Sequence, residues 1–481
     1  MISALGRKSK YATEDAGPDL VAMLEGWESG HGSLPRRLAH GLRLVIESGV
    51  LPGGWRVPPE RELAGMLSVG RTTVTQALDE LRSEGLLASM QGSGTYVVGP
   101  REPLPVGTRV AEHLSSGPGI DLAKGDAPDL SHLPPLSIEM WQLNATCSGA
   151  TVNAAGLPAM RQAIAELTSR GGTTGRSRIT EPAQIHVTAG GHQANFLAVS
   201  ALAAPGRAVA IAELGYPGIF DIFDNCRVRP APVLLDSAGM VPESLDDVLG
   251  RERPAALYFQ AGPQIPTGRM MPIARMRAIA AIVDRHRVTV IEDTTLASLA
   301  FDGSASLLSD LCRDAMVITT GSLSKTCWSG LRLGWIRGPL PIIEQTIYRH
   351  LGSDLGPSVP SQVLAMGLIP HLDDIAAVRR RRLELAVDVA LEQLAGSVPD
   401  ADVVRPDGGS LLWARFPVDD SAALVDVARQ HGVRIAPGSV HAVGKTPGPF
   451  VRIDVDRPTG YVREGVDRLA RAWVDLRATT H

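Results

Sequence analysis

The sequence predicts an α/β protein in two unlike parts. The first is an N-terminal winged helix-turn-helix, and the second a larger domain on a mostly parallel sheet with helices on both faces. Three observations carry this. Five short apolar runs separated by helix-length segments lie between Gln184 and Thr319, the pattern of strands buried on both faces. Two closely spaced helical stripes followed by a Gly-tipped hairpin lie between Ser33 and Gly99. Between Gly99 and about Leu136 the composition shifts to repeated prolines, including Pro100, Pro103, Pro105, Pro118, Pro128, Pro134 and Pro135, which interrupt any helix or central strand. The 481 residues exceed the roughly 100 to 200 of one domain, and 44% hydrophobic content supplies a large core.

Taken in order, residues 1–32 are an N-terminal extension, 33–99 the small domain, 100–135 a linker and 136–475 the large domain. In the small domain Leu38, Leu42 and Val45 fall at helical spacing, and Pro58-Pro59 opens a short helix from Glu60 to Leu67. Ser68-Val69-Gly70 allows only a tight turn before the stripe Val74, Leu78, Leu81, which stops at Gly85. Leu86-Leu87-Ala88 and Thr95-Tyr96-Val97-Val98 then read as strands joined by Gln91-Gly92-Ser93-Gly94, a tip able to approach a phosphate backbone closely. In the large domain the strands are Gln184 to Thr188, Ala208 to Ile211, Ala256 to Phe259, Val288 to Ile291 and Met316 to Thr319.

The residues that carry chemistry follow those strands, where ligands of such sheets gather. Gly190-Gly191-His192 follows the first, Glu213 to Gly218 the second, Gly262 to Gly268 the third, Asp293 the fourth and Ser322 to Lys325 the fifth. Lys325 is flanked by hydroxyls and followed by Arg332 on a Gly-containing turn. Pyridoxal phosphate requires such a set: an amine for a Schiff base, and donors and a cation for the phosphate. A solvated lysine on a Ser/Gly loop is the plainer reading, but the six residues between Lys325 and Arg332 are all uncharged. Backbone N–H groups of Gly190, Gly191 and His192, opening a helix, join Ser322, Ser324 and Arg332 around the phosphate. Tyr216 offers a face for stacking on the pyridine ring. Asp293 can keep the ring nitrogen protonated, a helix cap or turn being its alternative role.

Composition narrows the rest. No apolar run reaches the roughly 18 residues of a membrane span, and Met1 to Lys10 lacks the apolar stretch of a signal peptide, so a cytoplasmic protein is expected. Cys147, Cys226, Cys312 and Cys327 show no CxxC spacing; they read as reduced thiols, and no metal is expected. From Ser33 to Gly99 seven basic residues face six acidic ones, a net charge of +1, so DNA affinity would rest on dimerisation and a few placed arginines.

Several segments resemble known families. Gly49 to Gly53, Pro58 to Ala64, Gly70 to Val74, Leu81 to Leu86 and Gly92 to Val97 are similar to the GntR-type DNA-binding module. The resemblance implies that Arg61, Arg71, Thr72 and Thr73 touch double-stranded DNA, with Gly94 at the wing. Pro59 departs from the small hydroxyl or alanine usual there. Ala155 to Arg161, Gly215 to Gly218, Gln264 to Gly268 and Ser322 to Lys325 resemble fold-type I pyridoxal-phosphate enzymes of the aspartate aminotransferase group, which have a small C-terminal subdomain. The order of the two halves resembles the MocR family of bacterial transcription regulators. This implies that Lys325 carries the cofactor, that Gln264 lies at it, and that Arg452 in Val451-Arg452-Ile453 holds an effector carboxylate; a surface salt bridge is the alternative for Arg452.

Three departures bear on function. Ile265 stands where the enzymes have an Asn that bonds the cofactor's ring oxygen, and Thr295 and Thr151 stand where they have tyrosines. Cofactor binding should survive these losses better than turnover. The expected function is a homodimeric transcription regulator that binds pyridoxal phosphate and senses an amino-containing or vitamin B6-related ligand. The alternative is an active aminotransferase with a vestigial DNA-binding module.

Overall fold

The computed structural model describes residues 20–24, 27–29, 32–47, 51, 55–84, 86–90, 94–97, 109, 119–125, 130–147, 153–169, 179–303, 305–445 and 448–480. Thr151, Gly85, Gln91-Gly92-Ser93, Pro100 to Pro105, Pro118 and Pro128 lie outside them. The chain divides into two compact units, Met1–Val106 with Leu114–Ile120, and Gly107–His113 with Asp121–His481.

In the first unit three helices, α1 (Leu34–Glu47), α2 (Glu60–Met66) and α3 (Arg71–Ser83), pack with a small antiparallel sheet of order β1 (Arg56–Val57), β3 (Gly94–Val97), β2 (Leu87–Met90). The apolar stripes read from the sequence form its core: Leu38, Leu42, Val45, Val74, Leu78 and Leu81 are all buried. Ser68 adopts a positive φ of 55°, and Val69 N–H donates to Ala64 O at 3.0 Å, which closes the turn between α2 and α3. Strand β1 was not expected, because two residues ahead of Pro58-Pro59 carry no alternating pattern; it pairs Arg56 with Tyr96 and Val57 with Thr95.

The second unit holds a seven-stranded sheet. Its strands are β4 (Ile185–Thr188), β5 (Ala208–Ala212), β6 (Arg229–Val233), β7 (Ala256–Gln260), β8 (Val290–Asp293), β9 (Val317–Ser322) and β10 (Gly334–Arg337), in the order β4-β10-β9-β8-β7-β5-β6. Only β10 runs antiparallel to its neighbours. Helix α4 (Pro158–Ser169) precedes the first strand, crossover helices include α5 (Gly191–Leu202), α6 (Pro217–Cys226), α7 (Pro242–Glu252) and α8 (Ile273–His286), and α9 (Leu340–Leu351) follows the last strand. The fourth expected strand begins two residues later than read, at Val290. Strand β6 escaped detection because Pro230 and Pro232 suggest a loop; it is an edge strand, where a missing N–H is tolerated. Strand β10 was hidden in the segment read only as the lysine's surroundings.

The C-terminal part carries an antiparallel sheet of order β11 (Asp402–Val403), β12 (Leu411–Arg415), β14 (Phe450–Asp454), β13 (Ala436–Pro437). Helices α10 (Leu372–Ser397) and α11 (Thr459–Thr480) pack against each other. Leu412, Ala414, Val451 and Ile453 are fully buried, and alternation sends Trp413, Arg452 and Asp454 to the opposite face. Within the stretch expected to be linker, Arg109 is docked: its N–H donates to Asp221 Oδ1 at 2.9 Å and its guanidinium lies 4.2 Å over Phe220.

Candidate functional site

Register places the site. Parallel pairing aligns Gln260, Asp293 and Thr320 side by side at the C-terminal ends of β7, β8 and β9. Asp293 is buried, and its carboxylate is held by three donors. Asn195 Nδ2 reaches Oδ2 at 2.8 Å, the Tyr258 hydroxyl reaches Oδ2 at 2.7 Å, and Thr295 N–H reaches Oδ1 at 2.9 Å. Thr320 Oγ1 donates to Asn195 Oδ1 at 2.7 Å, so the amide's orientation is fixed. Burial, then the Asp293 charge, pushes the Tyr258 phenol well above its usual range, which keeps it a donor. Asn195 and Tyr258 were missed by the sequence reading. Asn195 lies one helical turn after Gly191 on α5, on the same face, and that spacing was the available signal.

Gly190, Gly191, Ser322 and Arg332 come together at the start of α5. Gly190 takes a φ of 100°, and a Cβ there would lie 3.3 Å from Arg332 Nη2, so glycine lets the backbone approach the guanidinium. A Cβ on Gly191 would lie 2.8 Å from Thr295 Oγ1 and 3.3 Å from Ser322 Cβ. Ser322 Oγ donates to Ser324 Oγ and to Leu333 O, both at 3.1 Å, and Arg332 donates to Ala189 O. The α5 N-terminus has no side-chain cap hydrogen bond, which leaves its first N–H groups available to an anion. His192 meets Tyr216 edge-on at 6.2 Å. A Cβ on Gly218 would sit 2.5 Å from the Tyr216 ring, which is why the Tyr-Pro-Gly turn needs its glycine. Burial and then the Asp293 charge raise the Tyr216 phenol to about 12.

Lys325 is half-buried on the loop after β9, and its Nζ donates to Gly125 O. The loop is held from several sides. Ser298 Oγ and Thr326 Oγ1 are 2.7 Å apart, Arg379 Nε donates to Lys325 O at 3.4 Å, and Arg379 forms a two-pronged pair with Asp456, with Nη1 to Oδ1 at 2.8 Å. Arg452 is buried on β14 and donates to Ala123 O. It is therefore no surface salt-bridge residue. Asp454, two residues on, lies against Gly125, and burial followed by the charge of Asp456 raises its carboxyl to about 6. The segment Ala123 to Gly125, not singled out from sequence, thus touches both Lys325 and Arg452.

Gln264 is held between two loops. Its Nε2 donates to Leu214 O at 2.9 Å and its Oε1 accepts from Thr267 Oγ1 at 2.7 Å, so both ends tie loops together. Ile265 packs against the cluster of Leu296, Leu299 and Leu383. Cys327 is buried, and burial alone raises its thiol to about 12, which fits packing. Among the described residues no group of three or more His, Cys, Asp or Glu could hold a metal ion.

In the first unit Arg71 opens α3 after the uncapped Gly70, and Arg61, Arg71 and Thr72 are exposed while Thr73 is half-buried. Glu60 accepts from Thr75 Oγ1 at 2.8 Å and lies 3.7 Å from both Arg71 and Arg82, which orients the start of α3. Pro59 contributes its carbonyl, accepting from Glu62 and Leu63 N–H at 2.8 and 2.9 Å. Gly94 has a φ of 120°, and a Cβ there would lie 3.0 Å from Arg56 Nε, a guanidinium the sequence reading did not notice.

The aminotransferase class I and II family matches residues 118–469, and the bacterial regulatory proteins, gntR family, match residues 34–97. The chain belongs to the aminotransferase class I and II family. With its gntR-family module it has the composition of a MocR-type regulator. It is 26% identical to the HTH-type transcriptional regulator YdfD of Bacillus subtilis (strain 168), over 87% of this chain and 91% of the relative. It is 26% identical to the HTH-type transcriptional regulator TauR of Rhodobacter capsulatus, over 92% and 97%. The HTH-type pyridoxine biosynthesis transcriptional regulator PdxR of Corynebacterium glutamicum is 26% identical over 79% and 82%. Among solved structures, LysN, the α-aminoadipate aminotransferase of Thermus thermophilus, superposes with a TM-score of 0.67 at 24% identity, covering 78% of this chain and 97% of that one. The kynurenine aminotransferase of Pyrococcus horikoshii gives 0.69 at 22% identity, over 79% and 97%. These likenesses establish the fold-type I fold. No described helix is long and apolar enough to cross a membrane.

Proposed function

We propose that this transcription regulator binds pyridoxal phosphate at Lys325 and responds to an amino-containing or vitamin B6-related effector, working in the cytoplasm as a homodimer on operator DNA. The residues fit the group. Arg332, Ser322 and Ser324 gather at the uncapped start of α5, where two glycines allow the backbone to come close to them, and Asp293 has the fixed, buried carboxylate that a pyridinium nitrogen needs. When bound, pyridoxal phosphate supplies a carbonyl for amine capture and an electron sink. Lys325 would hold it, Tyr216 cover it, and Arg452 orient a carboxylate beside it.

One observation carries the preference for sensing over turnover: Lys325, Asp293 and Arg332 are retained while Ile265 is spent on apolar packing and Thr295 offers only a short hydroxyl. Binding is kept, and the side chains that tune the cofactor's ring oxygen in the enzymes are absent. The burial of Arg452 also suits the second reading, an active aminotransferase, since a carboxylate anchor serves both. A gel-shift on the DNA upstream of the gene, run beside a turnover assay with an amino-acid panel, separates them. Specific binding with little turnover supports the regulator; multiple turnovers without specific binding defeat it.

A further inference from the structure

A second cavity, of about 390 Å³, lies in the large unit between the ends of β5 and β7 and the exposed face of the C-terminal sheet. Tyr258, whose hydroxyl donates to Asp293, and Gln260 belong to its lining, which includes none of Lys325, Asp293, Ser322, Arg332 or Arg452. A wall separates it from them. Gln264 Nε2 donates to Leu214 O at 2.9 Å, Leu214 forms a β-bridge with Ala442, and Gly215 N–H donates to His441 O at 2.9 Å. His441 Nδ1 lies 3.0 Å from Gly215 O, a distance and acceptor that require the Nδ1–H tautomer. His441 is fully buried, so the wall is closed and neutral there.

The interior is apolar and flat. Leu235, Met240, Met271 and Val404 line it, with Trp413 and Phe450 stacked at 5.0 Å and 7°. Gln260 gives its Oε1 to Ile265 N–H at 3.1 Å, and its amide N–H groups have no hydrogen-bond partner among the described residues. At the mouth Asp402 and Arg415 face each other across the β11–β12 ladder, both exposed, and neither side chain forms an ion pair or hydrogen bond with a described residue. The other charges of the lining are engaged: Glu213 accepts from Leu235 N–H at 2.8 Å, Asp236 pairs with Arg275 at 3.0 Å, and Arg269 lies 3.3 Å from Asp407.

We propose that this cavity is a second ligand site, distinct from the cofactor's, for an α-amino acid with an aromatic side chain. The ring enters against Trp413, Phe450 and the methionines, the carboxylate meets Arg415, and the ammonium meets Asp402. A simple anion would meet Asp402 and a simple cation Arg415; a zwitterion satisfies both. The volume suits a small ligand. The wall carries the consequence of binding, since Leu214 and Gly215 lead directly into Tyr216 and Gln264 into Ile265. The site needs no cofactor chemistry and stands apart from the reading of Lys325.

The test uses full-length protein treated with borohydride, so that any cofactor on Lys325 no longer reacts with amines. Calorimetric titration with L-phenylalanine is expected to show saturable binding at one site per chain. Arg415→Glu, an exposed change that leaves the fold intact, should weaken it roughly tenfold or more, as loss of one charged contact does, and Val404→Trp should fill the cavity and abolish it. Phenylacetate and phenethylamine, each carrying one charge, should bind more weakly than the amino acid. No saturable binding in the millimolar range, or binding that survives Arg415→Glu, overturns the site. A missing gel-shift or missing cofactor absorbance defeats the regulatory reading instead and leaves this result standing.

Discussion

Asp293 accepts from Asn195, Tyr258 and the Thr295 N–H, so its two oxygens are both committed before any ligand arrives. Asp293→Asn would aim an amide N–H at one of those donors and leave a buried group unsatisfied, at a cost of roughly 1–3 kcal/mol. We predict that the variant folds, that its affinity for pyridoxal phosphate falls and that its visible spectrum shifts; a titration matching the parent's would remove Asp293 from the site. The parent protein should be yellow and Lys325→Ala colourless, with borohydride fixing the pyridoxyl group on Lys325. Finding the label on another lysine by peptide mapping would refute that assignment. Both residues stand out as candidates in the sequence because each lies at or after the end of an apolar strand with an unusual neighbourhood. Asn195 and Tyr258 do not, since a polar residue inside a helix and a tyrosine inside a strand match the ordinary patterns of those elements.

At the level of elements, the apolar stripes of α1 and α3 could be read because helical periodicity survives without context, whereas β1, β6 and β10 are defined only by the strands they join. Helix α3 has the simplest test. Arg71→Ala leaves the buried stripe Val74, Leu78, Leu81 untouched, so the melting temperature should stay while operator affinity drops and the salt dependence flattens by about one unit of slope. Unchanged affinity would show that this end of α3 does not face DNA. Strand β8 has a pH dependence of its own. Glu292 is fully buried and accepts from Leu308 and Ser309 N–H, and burial raises its carboxyl from 4.5 to about 7. A folded-state value above the unfolded one means the stabilisation is complete below about 4.5 and is lost as pH rises through about 7. Melting temperature should therefore decline across that window, and Glu292→Gln should flatten the decline. A decline as steep in the variant would assign the titration to another group.

The whole chain joins a module of nearly balanced charge to a cofactor fold, and that balance constrains how it can work. With a net charge of +1 between Ser33 and Gly99, nonspecific attraction to DNA is weak and affinity must come from a few contacts made twice, which a homodimer provides. Removing Met1–Val106 takes away most of the first unit and none of the residues around Lys325. The remainder should still bind pyridoxal phosphate with the parent's absorbance, and in single-turnover assays it should transaminate common amino acids slowly or not at all, because Ile265 and Thr295 stay in place. The full-length protein should shift its operator, with an affinity that changes on adding the effector, since a ligand moves an equilibrium only through unequal affinity for its two states. Fast repeated turnover by the truncated protein would mean that the aminotransferase fold here still serves catalysis. Slow chemistry together with an effector-dependent gel-shift is what a sensor built on an enzyme's cofactor cradle must give.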